Sequence, residues 1–292
     1  MFPEFLPPKV GQLTETASID LAKIILREAI ATPLSDSAIT TAYVNQGIGG
    51  TPILLIHGFD SSVLEFRRLL PLLAKSNQTY AVDLLCFGFT ERKDDIKYSP
   101  TDIKTHLYSF WKSLINKPVI LVGASMGGAA AIDFTLTYPE AVEKLVLLDS
   151  AGIAGGSSLS KFMFPPLGYL ATEFLRNLKV RNSISKSAYN NPEFATEDAL
   201  FCGALHLDMP NWSQALISFT KSGGYGSFKN QLSQIQQPTL ILWGDRDKIL
   251  GTKDAPIFEK LIPNSKLVWV KDSGHVPHLE QPQITATEIL GF

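Results

Sequence analysis

Short, wholly apolar segments separated by helical patterns constrain this chain more than any other feature. Ile53–Ile56, Thr79–Val82, Val119–Val122, Leu145–Leu148 and Thr239–Trp243 each have the length and composition of a strand, and Leu267–Val270 is a sixth. Most are continuous apolar runs rather than alternating ones, as strands buried on both faces of a parallel sheet require. Between them, Glu65–Ala74, Ile103–Ile115, Met126–Thr137 and Pro256–Leu261 carry helical spacing. Strands alternating with helices predict an α/β fold with a doubly wound, mostly parallel sheet. Upstream, Ser18–Ile30 reads as an amphipathic helix capped by Ser18 and ended by Pro33, and Ile39–Val44 as an early strand.

One interval breaks the rhythm. Ninety residues separate Leu148 from Thr239, far more than a single crossover needs, and a structureless loop of that length does not suit a compact domain. Helical spacing recurs within it at Leu167–Leu178, Thr196–His206 and Trp212–Lys221. The expectation is an inserted helical cap over residues 152–226, set on a core formed by 1–151 and 227–292.

The segment Val119–Gly123 runs straight into Ala124-Ser125-Met126-Gly127, and an alanine-rich helical pattern follows. This is G-x-S-x-G in a strand–turn–helix context. Such a turn puts the serine in a strained backbone conformation, and glycines two before and two after remove side chains that would clash. The hydroxyl is lifted above the sheet edge, at a helix N-terminus that favours negative charge. Ser125 is the candidate nucleophile. The amide after it, on Met126, is one candidate oxyanion donor. The other is the amide of Phe59 in His57-Gly58-Phe59, which follows an earlier strand; Gly58 would let the chain turn that amide inward. His57 is read as a loop anchor.

A serine needs a base, and the base needs an orienting carboxylate. Of the five histidines, His106 falls on a helix whose polar face would be solvated, and His206 falls in the cap. His275 follows the last strand in Asp272-Ser-Gly-His275, at the sheet edge that carries the serine, with Gly274 freeing the backbone to turn inward. It is preferred over His278. Asp247, in Gly244-Asp-Arg-Asp247, and Asp149 both follow strands that end at this edge. Either satisfies the order nucleophile, acid, base. Asp247 is preferred, with Asp245 as a turn residue.

These four motifs, in this order, resemble the capped α/β-hydrolases along nearly the whole chain. The resemblance implies the α/β-hydrolase fold, the triad Ser125, Asp247 and His275, an oxyanion hole at Phe59 and Met126, and no cofactor or metal. Relatives that dehalogenate alkanes or open epoxides carry aspartate at the elbow, where this chain has Ser125. Carbon–carbon hydrolases share Ser-Met-Gly-Gly but typically have asparagine before the serine and an aromatic residue after the histidine; here these are Ala124 and Val276. Asp83–Thr90 resembles the family's Asp-x-x-Gly-x-Gly loop with Cys86 in place of the first glycine, read as a tolerated substitution or as a thiol lining the pocket.

The implied activity is hydrolysis of a hydrophobic small-molecule or lipid-like carboxylic ester. Apolar residues of the cap (Phe162, Met163, Phe164, Leu167, Tyr169) suit either such a chain or packing on the core, and Arg176 and Arg181 could hold a substrate carboxylate. A carbon–carbon hydrolase or acyltransferase on the same serine, and a ligand receptor that keeps the fold, are the alternatives. A formal net charge of −2 provides no basic excess for nucleic acid. Cys86 and Cys202 read as free, buried thiols. The N-terminus lacks the pattern of a signal peptide and no apolar stretch is long enough to span a bilayer, so a cytoplasmic location is expected. Phe2, Phe5 and Leu6 would cover the core, be disordered, or touch a membrane surface.

Overall fold

The computed structural model describes residues 1–154 and 167–292. Eight strands form one sheet: β1 (Leu26–Ile30), β2 (Ile39–Gln46), β3 (Ile53–Ile56), β4 (Thr79–Val82), β5 (Val119–Ala124), β6 (Val142–Leu148), β7 (Thr239–Gly244) and β8 (Ser265–Val270). Their spatial order is β1-β2-β4-β3-β5-β6-β7-β8. From β4 to β8 all neighbours are parallel, while β1 with β2 and β2 with β4 are antiparallel. The fold is therefore the mostly parallel, doubly wound sheet that the apolar runs require.

The continuous runs serve two cores at once. Leu54 and Ile56 point into one core, and Ile53 and Leu55 into the other. The first core is covered by α3 (Pro100–Leu114), α4 (Met126–Thr137) and α9 (Ala255–Leu261), through Phe110, Phe134 and Phe258. The second is covered by α1 (Thr16–Lys23), α2 (Leu70–Leu73) and α11 (Pro282–Gly291), through Leu21, Leu73 and Ile289. Leu6 is buried in this second core and Phe2 and Phe5 pack against it, with the Arg27 guanidinium 4.2 Å above the Phe5 ring. Between β6 and β7 stand α5 (Leu167–Arg176), α6 (Leu178–Ala188), α7 (Glu197–Cys202) and α8 (Trp212–Lys221), the inserted helical region. Last comes the short α10 (Pro277–Glu280), just before α11.

Several elements depart from the sequence pattern. The helix expected over Ser18–Ile30 ends at Lys23, and Leu26–Ile30 instead forms β1, paired in register with β2. Ladder hydrogen bonds to an open sheet edge outweigh helical spacing there. Ser18 is not a cap. It lies inside α1, fully buried, and donates to Asp198 of α7. Asp198 also accepts the amides of Thr14 (2.6 Å) and Glu15 (2.9 Å), so the start of α1 is satisfied by a side chain from the inserted region. Glu65–Ala74 divides into a 3₁₀ turn, Val63–Phe66, and α2. The pattern over Leu167–Leu178 breaks at Asn177, whose side chain caps α6.

His106 is not solvated. It is buried beneath β2, with Nε2 2.8 Å from the hydroxyl of Thr41. Burial lowers its pKa from 6.5 to about 4. The unfolded chain then binds a proton that the folded chain refuses between these values, so stability is lost as pH falls from 6.5 towards 4. The melting temperature should drop through that window, and His106→Gln should drop less; equal slopes would remove His106 as a cause. A second outcome concerns the turn after β5. A Cβ on Gly127 would land on the main-chain carbonyls of Ile56 and His57. Gly127→Ala should cost about 1–3 kcal/mol in urea unfolding.

Candidate active site

Ser125 joins β5 to α4 with φ 53° and ψ −119°, a conformation that costs a non-glycine residue roughly 1–3 kcal/mol. The surroundings impose it. The Ser125 amide donates to Leu148 of β6 at 2.9 Å, and its carbonyl accepts from Gly128 and Ala151. Gly123 packs against the backbone of Gly127, where any side chain would collide. The turn can close only with small residues on both sides, and it presents the hydroxyl at the first amides of α4.

His275 Nε2 lies 2.9 Å from Ser125 Oγ, and His275 Nδ1 lies 3.0 Å from Asp247 Oδ2. The other Asp247 oxygen accepts the amides of Ile249 (2.7 Å) and Leu250 (3.2 Å). Burial opposes the Asp247 charge, but hydrogen bonds from His275 and these amides outweigh it and hold the carboxyl below its usual range. Nδ1 therefore donates to Asp247, which leaves Nε2 free to accept from the serine. Of the two candidate acids, it is Asp247 that meets His275. Asp149 is buried behind it, and His278 instead faces Glu65 at 3.4 Å. The backbone amide of His275 donates to Ala188 at the end of α6 (2.7 Å). Gly274 serves this contact, since a Cβ there would strike the Ala188 carbonyl; the left-handed turn is made by Asp272 instead (φ 55°).

The loop after β3 lies against the elbow. A Cβ on Gly58 would sit 3.4 Å from Ser125 Cβ, an ordinary contact, and the left-handed residue is Asp60 (φ 49°) rather than Gly58. His57 anchors the loop. Its Nδ1 donates to the Gly58 carbonyl (2.8 Å) and its Nε2 accepts the Leu84 amide (3.1 Å). Glu65 accepts the Gly58 amide at 3.0 Å. The amides of Phe59 and Met126 have no acceptor among the described residues. Ligand-type atoms of Asp149, Asp247 and His275 lie within 4.8 Å of one another. Both His275 nitrogens and both Asp247 oxygens are already committed, so only Asp149 Oδ2 could serve a metal without breaking this arrangement.

Residues 53–288 match the model of the alpha/beta hydrolase family. The chain belongs to that family. Alpha/beta hydrolase domain-containing protein VTE7 of Arabidopsis thaliana is 33% identical over 97% of this chain and 87% of its own length. Lipase 1 of Psychrobacter immobilis is 24% identical over 85% of this chain and 78% of its own. The crystal structure of a serine hydrolase involved in carbazole degradation superposes with a TM-score of 0.75 at 25% identity, covering 91% of this chain and 98% of that one.

In this hydrolase a cavity of about 330 Å³ opens beside Ser125 and His275, with Phe59, Ile184, Tyr189 and Leu200 on its walls. Tyr169 and Leu167 are exposed on α5, while Phe162, Met163 and Phe164 lie outside the described residues. Arg176 and Arg181 are engaged within the protein. Arg176 donates to the Leu207 carbonyl, and Arg181 donates to the carbonyls of Leu175 and Gly203 and pairs with Asp60. Cys86 does not line this cavity. It is buried in the first core in a left-handed conformation (φ 84°), the backbone state that a glycine would hold without strain.

Asp60 is the residue that the sequence pattern did not single out. It follows Phe59 directly, and its Oδ1 accepts from His206 Nε2 (3.0 Å) and Trp212 Nε1 (2.8 Å) while Oδ2 meets Arg181. All three partners belong to the inserted region. Burial works against the Asp60 charge, yet these donors hold its pKa below the usual range. Burial also keeps His206 neutral, with a pKa of about 4 despite the nearby carboxylate. Nothing in the sequence marks Asp60, because its partners lie more than a hundred positions away. Asp60→Ala should strand these donors and cost about 3–5 kcal/mol of stability by denaturant unfolding. A loss below 1 kcal/mol would contradict the contact.

Proposed function

We propose that this chain is a serine hydrolase of carboxylic esters with hydrophobic character, acting through an acyl-enzyme. The observation that carries the reading is the hydrogen-bonded line from Ser125 through His275 to Asp247. In the reaction, Ser125 Oγ attacks the ester carbonyl while His275 Nε2 takes its proton. The amides of Phe59 and Met126 receive the oxyanion, each worth about 10²–10³ in rate. The tetrahedral intermediate expels the alcohol, which takes the proton back from His275. Water, deprotonated by the same nitrogen, then releases the acid and restores Ser125. Asp247 holds the imidazole in the required tautomer and balances its transient charge. Residues 152–226 act as the cap, and the apolar walls beside Ser125 favour an acyl or alkyl chain over a charged one.

Ala124 and Val276 flank the serine and histidine with groups that offer no polar contact to a dienoate, which favours the ester over carbon–carbon cleavage. The test uses p-nitrophenyl esters of increasing acyl length. Wild type should turn them over, with an optimum set by the cavity, and Ser125→Ala and His275→Ala should each fall by at least about 10⁴-fold. Inert wild type, or variants that match it, would overturn the ester reading.

A further inference from the structure

Asp149 takes no part in the steps above, yet it is a buried acid standing against them. It follows β6, fully buried, with φ 39°. Its Oδ1 accepts the Gly244 amide at 3.0 Å, and its Oδ2, equally buried, has no donor among the described residues. Its carboxyl comes within 4.8 Å of both the Asp247 carboxyl and the His275 ring. The charged groups facing it are Asp247 from the loop after β7, His275 from the loop after β8 and Glu280 of α10.

Two carboxylates sharing one buried site do not both stay ionised. The number of donors decides which keeps the proton. Asp247 is met by His275 Nδ1 and the amides of Ile249 and Leu250, and Asp149 by the Gly244 amide alone. We infer that Asp149 is a neutral carboxylic acid whose Oδ2 proton is donated to the Asp247 carboxylate, making it a positioning residue for the acid that orients His275. The inference rests on the proposed reading of Ser125, His275 and Asp247. Burial, then the Asp247 charge, push the Asp149 carboxyl well above its ordinary range, in the same sense.

The proton does two things. It satisfies the buried Oδ2, and it ties Asp247 to the end of β7 through one side chain that also holds Gly244. It also keeps the charge behind His275 at one unit. A second negative charge there would hold the imidazolium proton too firmly to be returned to the leaving alcohol.

Infrared difference spectra of wild type against Asp149→Asn, at neutral pH, read the proton directly. A protonated-carboxyl carbonyl band should be present in wild type and missing from the variant. Absence of any such difference would overturn the inference, whatever the activity. Stability gives a second reading. An acid with a raised folded pKa contributes fully below its unfolded value, 3.8, and that contribution is lost as pH rises towards the folded value. Wild type should therefore lose melting temperature relative to D149N as pH rises from about 4 through neutral; parallel curves would count against the proton. In ester turnover, D149N can still donate to Asp247 and should recover at least about tenfold over Asp149→Ala. Equal loss in both would overturn the positioning role. So would retained activity in Asp247→Asn, because Asp149 would then be the acid itself. Failure of the ester reading would show separately, as turnover that survives Ser125→Ala.

Discussion

The structure depends on one strained turn. Ser125 is held left-handed between β5 and α4, and every neighbour of that turn is placed to tolerate it. Gly123 and Gly127 let backbone meet backbone, Leu148 of β6 takes the serine amide, and Ala151 returns a bond to its carbonyl. A fully buried strand before the turn and a helix buried on nearly all sides after it supply the packing that overcomes the strain. The reward is geometric. The hydroxyl stands at the sheet edge, where the loops after β3, β7 and β8 converge.

Those loops have no regular structure to hold them, and buried carboxylates take over that task. Glu65 accepts the Gly58 amide, Asp83 the amides of Val63 and Phe89, Asp149 that of Gly244, and Glu280 those of Gly274, Asn190 and Asn191. Each gives loop amides, most of them buried, a charge-assisted or acid-assisted bond. Not all of them remain charged with equal ease. Burial raises the Asp83 carboxyl to about 6, whereas Glu65, close to His278, is held below its usual range against burial.

The inserted region meets the loops around the site at several points, among them two direct ones. Ala188, at the end of α6, accepts the amide of His275, and Asp60, beside Phe59, is bound by Arg181, His206 and Trp212. The same region receives the start of α1 through Asp198. Both the loop carrying His275 and the loop carrying Phe59 are thus braced by the segment that walls the cavity, so shifts of that segment would be felt at both.

Much was legible in the sequence because it is local. Seven of the eight strands, α4, α8 and the elbow follow from apolar run length, periodicity and glycine spacing within a few residues, and the order of the motifs placed Ser125, Asp247 and His275 at one sheet edge. Tertiary structure decided what depends on partners far along the chain. Leu26–Ile30 became an edge strand because β2 lay ready to pair with it, and His106 went under the sheet to meet Thr41. Asp247 rather than Asp149 faces His275 because strand order and loop length set which carboxylate arrives, and spacing alone leaves both open. Local periodicity specifies elements, while the pairing of buried polar groups is fixed only when the whole sheet has closed around them.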